Sequence, residues 1–226
     1  MTGHLALIGG REWGEGCTFD RTLLAASGAS EVVVLPTAAA YEHPARAVAK
    51  AAGWFAGLGA SVRGLMILNR ADAADPVNVT AVRDARFIYV GGGSPLHLRS
   101  VLKQSPVWLA LDEAWRDGAI VAGSGAGAMV LGDPMVDPRG GAFTLGLGLI
   151  EQVAVLPESS TWSPERLRRT ISLTEEGVKL VVIDEQTALI RAPEGTWSVE
   201  GVGNAEVHVG GSVAGLEALP GSTSRR

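Results

Sequence analysis

The sequence predicts an α/β fold built on a doubly wound, mostly parallel β-sheet. Short apolar runs alternate with helix-like segments up to about residue 130, which is the order expected of consecutive βαβ units. The runs are continuously apolar, as expected of strands that are buried on both faces. Each of four runs leads directly into a Gly-rich or polar loop, which is typical of a sheet whose strand ends form a ligand site.

The elements of this part of the chain follow in order from the apolar patterning. The helix predicted at 44–58 has Pro44 near its N-terminus, where the missing N–H does no harm. The predicted strands are residues 5–8, 31–35, 62–68, 87–90 and 119–122. The predicted helices are residues 19–26, 44–58, 96–102 and 106–116.

The last third of the chain is patterned differently, as short segments separated by turn residues. These segments predict hairpins, or an antiparallel extension of the sheet edge, continuous with the main domain. They are residues 153–156, 180–183, 188–191, 196–200 and 206–209. Residues 1–215 are therefore predicted to form one domain. Residues 216–226 are predicted to form a flexible tail, because the chain ends in Pro-Gly-Ser-Thr-Ser-Arg-Arg.

Composition excludes several classes of protein. The chain has 226 residues, a net charge of -5, 46% hydrophobic and 19% charged residues, which fits a compact globule. Nucleic acid is not an expected partner, because the cluster of Arg166, Arg168 and Arg169 is too small for a basic footprint and is predicted to be a solvated helix face. We expect a cytoplasmic protein without a membrane anchor, because neither a signal peptide nor a spanning apolar run is present.

The single cysteine limits redox and metal chemistry. Cys17 has no partner for an internal disulfide, and no thiolate metal cluster can form. It lies in a polar, Gly-rich loop after the first strand, where an incidental role is favoured over a catalytic one. No metal and no cofactor are expected.

The four loops after strands are expected to converge at the carboxyl edge of the sheet. They are residues 9–10, 36–38, 91–95 and 123–128. In the loop at 91–95, small residues leave backbone N–H groups that could point at an anion or a developing oxyanion. The alternative is a plain strand-to-helix connection with Pro95 at the first helical position.

The most informative loop is Gly-Ser-Gly-Ala-Gly-Ala at residues 123–128. A buried strand, this tight turn and a helix start together have the build of a nucleophile elbow, whose neighbouring residues must be tiny. The apex of such an elbow carries the nucleophile. Here the apex is Gly125, which supplies no reacting atom.

Two interpretations of this turn follow from the residues alone. The turn satisfies the dinucleotide-binding pattern G-x-G-x-x-G/A, but it follows the fifth strand, the next helix is interrupted early, and no acidic strand end follows at the expected distance. Alternatively, Ser124 could be a nucleophile displaced by one position. A one-residue shift redirects the side chain, so its hydroxyl is better suited to satisfy backbone groups of the turn.

A third interpretation rests on a set of motifs that occur in order from residue 5 to about residue 209. The chain resembles the dipeptidase E / cyanophycinase family of serine peptidases. The motifs are L-I-G-G at 7–10, V-V-L-P-T-A at 33–38, Y-V-G-G-G-S-P at 89–95, D-G-A-I-V at 117–121, G-L-G-L at 146–149 and I-D-E-Q-T-A-L at 183–189. The resemblance implies a flavodoxin-like, class I glutamine amidotransferase-like three-layer sandwich with a C-terminal hairpin extension.

The resemblance also implies positions for the site residues. Gly125 takes the position of the nucleophilic serine, and Glu158 takes the position of the catalytic histidine about ten residues after G-L-G-L. None of the four histidines (His4, His43, His97 and His208) falls where it could substitute. Glu185 lies in a matched segment and could correspond to a family carboxylate, although the third triad member is not placed. Oxyanion donors and binding groups would come from Gly92, Gly93, Ser94, Ser124 and Ala126.

These substitutions predict a family member that has lost the serine mechanism. The first hypothesis is a pseudoenzyme that binds a small peptide-like or carboxylate ligand, or a protein partner, in the old cleft. The second is a hydrolase of altered mechanism, in which Glu158 or another carboxylate activates water, or Cys17 is the nucleophile. The third is a dinucleotide-dependent enzyme. Dimers are common on this fold, and the sequence leaves the choice between monomer and homodimer open.

Overall fold

The computed structural model describes residues 1–221 as a layered α/β structure. The strands are β1 (Leu5–Ile8), β2 (Glu31–Leu35), β3 (Ser61–Gly64), β4 (Phe87–Val90), β5 (Ile120–Ser124), β6 (Gly132–Asp133), β7 (Met135–Val136), β8 (Phe143–Thr144), β9 (Ile150–Glu151), β10 (Val153–Leu156), β11 (Lys179–Ile183), β12 (Thr187–Arg191), β13 (Trp197–Gly201), β14 (Ala205–Val209) and β15 (Ser212–Ala214). The helices are α1 (Phe19–Ser27), α2 (Pro44–Gly57), α3 (Pro76–Arg83), α4 (Pro95–Leu102), α5 (Pro106–Arg116), α6 (Ala126–Leu131) and α7 (Pro164–Ser172).

The main sheet confirms the predicted fold class. It has seven strands in the order β13-β12-β1-β5-β4-β2-β3. The five strands from β1 to β3 in this order are parallel, and the β12–β13 hairpin adds two antiparallel strands at one edge, as the C-terminal patterning predicted. Since Ile8 pairs with Ser124 and Val90 with Gly123, the carboxyl ends of β1, β4 and β5 lie side by side.

Burial on both faces explains why the parallel strands have no polar face. Along β1, Leu5 and Leu7 belong to one apolar cluster, whereas Ala6 and Ile8 belong to a second cluster on the opposite face. All four side chains are fully buried. Alternate residues of one strand thus supply two cores, which is the reason that the sequence shows an apolar run instead of an alternation.

The remaining C-terminal strands do not extend the edge of the main sheet, which was one of the two arrangements predicted for them. A separate six-stranded sheet has the order β15-β14-β11-β10-β6-β9, and β7 and β8 form a further two-stranded sheet. In the six-stranded sheet, β10 and β11 are parallel neighbours and α7 lies between them in the chain. The composition of a short apolar segment does not indicate which strand it pairs with. The sequence therefore did not separate these strands from the main sheet.

Three further differences concern individual segments. The strand predicted at residues 62–68 is Ser61–Gly64, and the helix Pro76–Arg83 was not predicted. Part of the predicted tail is packed: Leu219 is 5% exposed, and the Pro220 carbonyl accepts a hydrogen bond from Trp197 Nε1 at 3.0 Å. Residues 222–226 of that tail lie outside the described residues. Within residues 1–221, no helix has both the length and the apolar character needed to cross a membrane.

Candidate active site

Backbone hydrogen bonds bring the four predicted loops together at the carboxyl edge of the main sheet. Gly91 N–H donates to the Leu35 carbonyl at 3.1 Å, and Ser94 N–H donates to the Ala38 carbonyl at 2.8 Å. Gly125 N–H donates to the carbonyl of Ile8, the last residue of β1, at 2.9 Å. The predicted convergence of these loops is therefore confirmed.

The turn after β5 has the backbone of a nucleophile elbow. Gly125 has φ 53° and ψ -111°, a conformation that L side chains rarely adopt, and α6 begins at the next residue. A Cβ at Gly123 would lie 2.7 Å from the carbonyl carbon of Gly127, and a Cβ at Gly127 would collide with the Val90 carbonyl oxygen. At Gly125, however, a Cβ would meet only Gly92 Cα, at 3.8 Å. The apex is open, and the positions two residues before and after it have to be glycine.

Ser124 has a structural role at the end of β5. Its side chain is fully buried, and its Oγ donates to Glu12 Oε2 at 2.8 Å. Within the described chain it does not line the cleft. A hydroxyl without access to the cleft cannot attack a ligand there, so the structure argues against Ser124 as a displaced nucleophile.

Glu12 is a site residue that sequence reasoning missed. It lies in the loop after β1, and its Oε1 accepts a hydrogen bond from Gly92 N–H at 3.1 Å. The sequence analysis left open whether N–H groups of the 91–95 loop point at an anion. Gly92 N–H points at a carboxylate of the chain itself, whereas the N–H groups of Gly91 and Ser94 donate to main-chain carbonyls. The signal that could have found Glu12 is its place two residues after the Gly-Gly that follows β1.

Glu158 stands where the resemblance places the histidine. It has left-handed backbone geometry (φ 54°), and its N–H donates to the Gly9 carbonyl at 2.8 Å, which ties it to the end of β1. Desolvation raises the pKa of this partly exposed carboxyl, and the negative charges of Glu185 and Glu12 add to that effect, whereas Arg11 opposes it. Its pKa therefore lies above the ordinary value of a glutamate.

Glu185 lies in the turn between β11 and β12, and its negative charge contributes to the raised pKa of Glu158. Its carboxylate accepts a hydrogen bond from the hydroxyl of Ser160, and Ser159 donates similarly to the neighbouring Asp184. These contacts fasten the segment after β10 to that turn. Glu185 does not itself line the cleft in the described part of the chain.

The cleft is a cavity of about 240 Å³ around the elbow. Of the predicted site residues, Gly92, Gly93, Gly125, Ala126 and Glu158 line it. Ser94 does not; its Oγ instead caps α4 by accepting the His97 N–H at 3.3 Å. The lining also includes Glu12, Pro95, Met129, Pro138, Pro157, Trp162 and Arg166.

Arg166 corrects the prediction that the basic cluster on α7 is a solvated face. Arg168 and Arg169 are exposed, but Arg166 is half-buried with its guanidinium 4.0 Å from the centre of the Trp162 ring. It also donates a hydrogen bond to the Pro138 carbonyl. The cleft lining therefore includes a cation stacked on an aromatic ring as well as the two carboxylates.

Cys17 is in the core instead of at the polar surface of its loop. It is fully buried, and desolvation raises the pKa of its thiol, which disfavours the reactive thiolate. It is not among the residues that line the cleft. Among residues 1–221, no group of three or more His, Cys, Asp or Glu side chains is arranged to hold a metal ion.

Comparison with known proteins decides the family. The family whose sequence model matches the chain is Peptidase family S51, over residues 5–196. The chain belongs to peptidase family S51. The resemblance to dipeptidase E and cyanophycinase is thereby confirmed.

Individual S51-type relatives agree with this assignment. A cyanophycinase of Synechococcus elongatus is 30% identical over 155 residues, which cover 63% of this chain and 48% of that protein. The chain thus spans about half the length of the cyanophycinases it matches. Peptidase E of Citrobacter koseri is 29% identical over 206 residues, which cover 85% of this chain and 84% of that protein.

Solved structures confirm the fold. The crystal structure of a peptidase from an acI-B1 Actinobacterium is similar with a TM-score of 0.84 at 30% identity, covering 93% of this chain and 92% of the other. A putative peptidase E of Listeria monocytogenes EGD-e has a TM-score of 0.64 at 19% identity, covering 90% of this chain and all of that one. Its likeness concerns the fold alone.

Proposed function

We propose that this S51 member binds a small peptide-like ligand in its cleft and does not use the serine mechanism. The observation that carries the proposal is Gly125: the backbone keeps the elbow geometry, and the apex opens into the cavity, but no hydroxyl stands on it. A serine mechanism requires that hydroxyl, a base and oxyanion donors. The position for the nucleophile is kept, and Gly93 and Ala126 line the cleft, where their N–H groups are the candidate oxyanion donors.

The base is missing as well. Glu158 lines the cleft where a histidine is expected, and none of the four histidines lines it within the described chain. Two losses in a single cleft, with the surrounding loops intact, favour a scaffold that is still used for binding. Arg166 and Trp162 on one wall, and Glu12 and Glu158 on another, suit a ligand that carries both charges of a peptide.

A second candidate is a hydrolase in which Glu158 activates water. The observation in its favour is that Glu158 reaches the cleft with a raised pKa, and a base closer to neutrality accepts a proton more readily. Peptide hydrolysis by the wild-type chain that disappears in Glu158→Gln would support it. The same loss in Cys17→Ala is not expected, because Cys17 does not line the cleft.

The dinucleotide hypothesis is not favoured. The helix after the Gly-rich turn has six residues, too short to present a strong N-terminal dipole to a pyrophosphate. The cleft beside that turn contains Glu12 and Glu158, which would repel phosphate groups. Addition of NAD should therefore leave the tryptophan fluorescence of the protein unchanged.

The test is to restore the two missing groups. We expect Gly125→Ser with Glu158→His to hydrolyse aspartyl or isoaspartyl dipeptides and to react with a fluorophosphonate probe at residue 125. Gly125→Ala with Glu158→His is the matched control, since it adds the same Cβ without the hydroxyl. In parallel, the wild-type chain is titrated with the same dipeptides and followed by tryptophan fluorescence, with Trp162→Phe to identify the reporter. A folded double variant that stays inert, together with a wild-type chain that binds no dipeptide, would refute the proposal.

A further inference from the structure

The carboxylate of Glu12 holds together the ends of three strands. It accepts hydrogen bonds at both oxygens, from Gly92 N–H at 3.1 Å and from Ser124 Oγ at 2.8 Å. Glu12 follows β1, Gly92 follows β4 and Ser124 ends β5. Hydrogen bonds to an ionised acceptor are stronger than those between neutral groups, so these two contacts hold the Glu12 carboxylate in place at the cleft.

The Gly92 donor lies beside the elbow apex. A Cβ at Gly125 would be 3.8 Å from Gly92 Cα, so any group bound over the apex is next to this N–H. Backbone donors at such a position bind the negatively charged oxygen of a ligand or intermediate. The amide has one hydrogen, however, and that hydrogen is directed at Glu12. A second anionic oxygen would find no donor there and would meet a like charge.

Within residues 1–221, no cation neutralises the Glu12 carboxylate through an ion pair. Lys50 approaches Glu12, but its Nζ donates to the main-chain carbonyl at 2.6 Å. The negative charge of the Glu12 carboxylate therefore remains next to Gly92 N–H. Since Ser124 is fully buried, its hydroxyl holds the carboxylate from the side that faces away from the cleft.

We propose that Glu12 is the internal occupant of the anion-binding position of this cleft and determines its ligand specificity. It excludes a ligand carboxylate from Gly92 N–H, so an anionic group can bind only at the Arg166 end of the cavity. The inference rests on the proposed binding function for its biological meaning, but the occupancy of the donor is a property of the chain itself.

The experiment measures that occupancy with acetate as the probe. Full-length ¹⁵N-labelled wild type, Glu12→Ala and Glu12→Gln are titrated with sodium acetate, against sodium chloride at equal ionic strength, and the Gly92 amide resonance is followed. Glu15→Ala is the matched control, because Glu15 is an exposed glutamate in the same loop. We expect a saturable shift of Gly92 with acetate in Glu12→Ala, a smaller one in Glu12→Gln, and none in the wild type or Glu15→Ala.

Three outcomes would overturn the inference. One is a wild-type Gly92 amide that responds to acetate as strongly as that of Glu12→Ala. The second is a folded Glu12→Ala that shows no acetate-specific shift. If Glu12→Ala does not fold, the test uses Glu12→Gln. The third outcome is then a Gly92 response to acetate in Glu12→Gln that equals the response in the wild type. An inert double variant together with a wild-type chain that binds no dipeptide would refute the proposed function without changing any of these results, so the two proposals fail separately.

Discussion

At the scale of single residues, the elbow contains two glycines that the backbone requires and one, at the apex, that has room for a side chain. Gly123 and Gly127 have no room for a Cβ, because neighbouring backbone atoms occupy that space. Gly125 has room for a Cβ. The cost of a side chain there is conformational, because φ is 53°. A serine at this apex is therefore compatible with the fold, whereas any side chain at Gly123 or Gly127 is not.

This difference predicts the order of three alanine substitutions. We expect Gly127→Ala to lower the free energy of unfolding by about 3 kcal/mol or more, because the buried strand β4 must move. Gly125→Ala should cost about 1–2 kcal/mol for its backbone conformation. Gly53→Ala, at an open helical position, should instead stabilise the chain by about 0.5–1 kcal/mol. Urea denaturation measures all three, and a Gly125→Ala that costs as much as Gly127→Ala would contradict an open apex.

At the scale of elements, the segment after β10 and the β11–β12 turn form one electrostatic unit. Ser159 and Ser160 donate to Asp184 and Glu185, so the loop that bears Glu158 is fixed to a turn that carries two carboxylates. The chain places negative charge next to a carboxyl where the family pattern has a histidine. The same negative neighbours would stabilise the imidazolium that forms when a histidine at position 158 accepts a proton, which supports Glu158→His in the restoring variant.

Removing one of those charges predicts a measurable change at Glu158. In Glu185→Gln the pKa of Glu158 should fall towards its ordinary value, because ionisation of Glu158 no longer meets the negative charge of residue 185. Titration of the side-chain carboxyl resonances by ¹³C NMR gives this pKa directly. Glu200→Gln, on β13, is the control and should leave it unchanged. A pKa of Glu158 that is equal in Glu185→Gln and wild type would show that the charge of Glu185 does not contribute to it.

At the scale of the whole molecule, the second core contains a buried acid. Asp20 is fully buried, and its Oδ2 accepts a hydrogen bond from Trp54 Nε1 at 2.8 Å, while Oδ1 has no partner among the described residues. Desolvation raises the pKa of Asp20 to about 7, with a further contribution from Glu12 and an opposing one from the Trp54 hydrogen bond. The folded chain therefore retains a proton that the unfolded chain releases at lower pH.

This retained proton makes the global stability depend on pH. The stabilising contribution of Asp20 is fully present below its unfolded pKa of 3.8, is lost as the pH rises towards about 7, and is constant above that. The total loss is on the order of 4 kcal/mol. Asp20→Asn keeps an acceptor for Trp54 and cannot ionise, so its stability relative to wild type should increase between pH 4 and pH 7.5. Denaturation curves that keep a constant offset over this range would contradict the assignment.

The sequence by itself determined the parallel sheet, its hairpin edge and the glycine at the elbow apex. Strands that are buried on both faces have to be apolar throughout, and a strand-to-helix turn has to be built from tiny residues. Both features can therefore be recognised in short stretches of the sequence. The bounds of β1, β2, β4 and β10 were predicted correctly for this reason. The family motifs then located Gly125 and Glu158 in the same cleft.

Only the tertiary structure decided how the remaining charges are arranged. Glu12, Gly92 and Ser124 are far apart in the chain, and their contact exists because β1, β4 and β5 are neighbours in the sheet. The same origin explains three further features. They are the division of the C-terminal strands into two sheets, the burial of Cys17 and Asp20, and the position of Arg166 in the cleft lining. Hydrogen-bond partners and desolvation depend on which surfaces meet, and residue types along one chain do not record that.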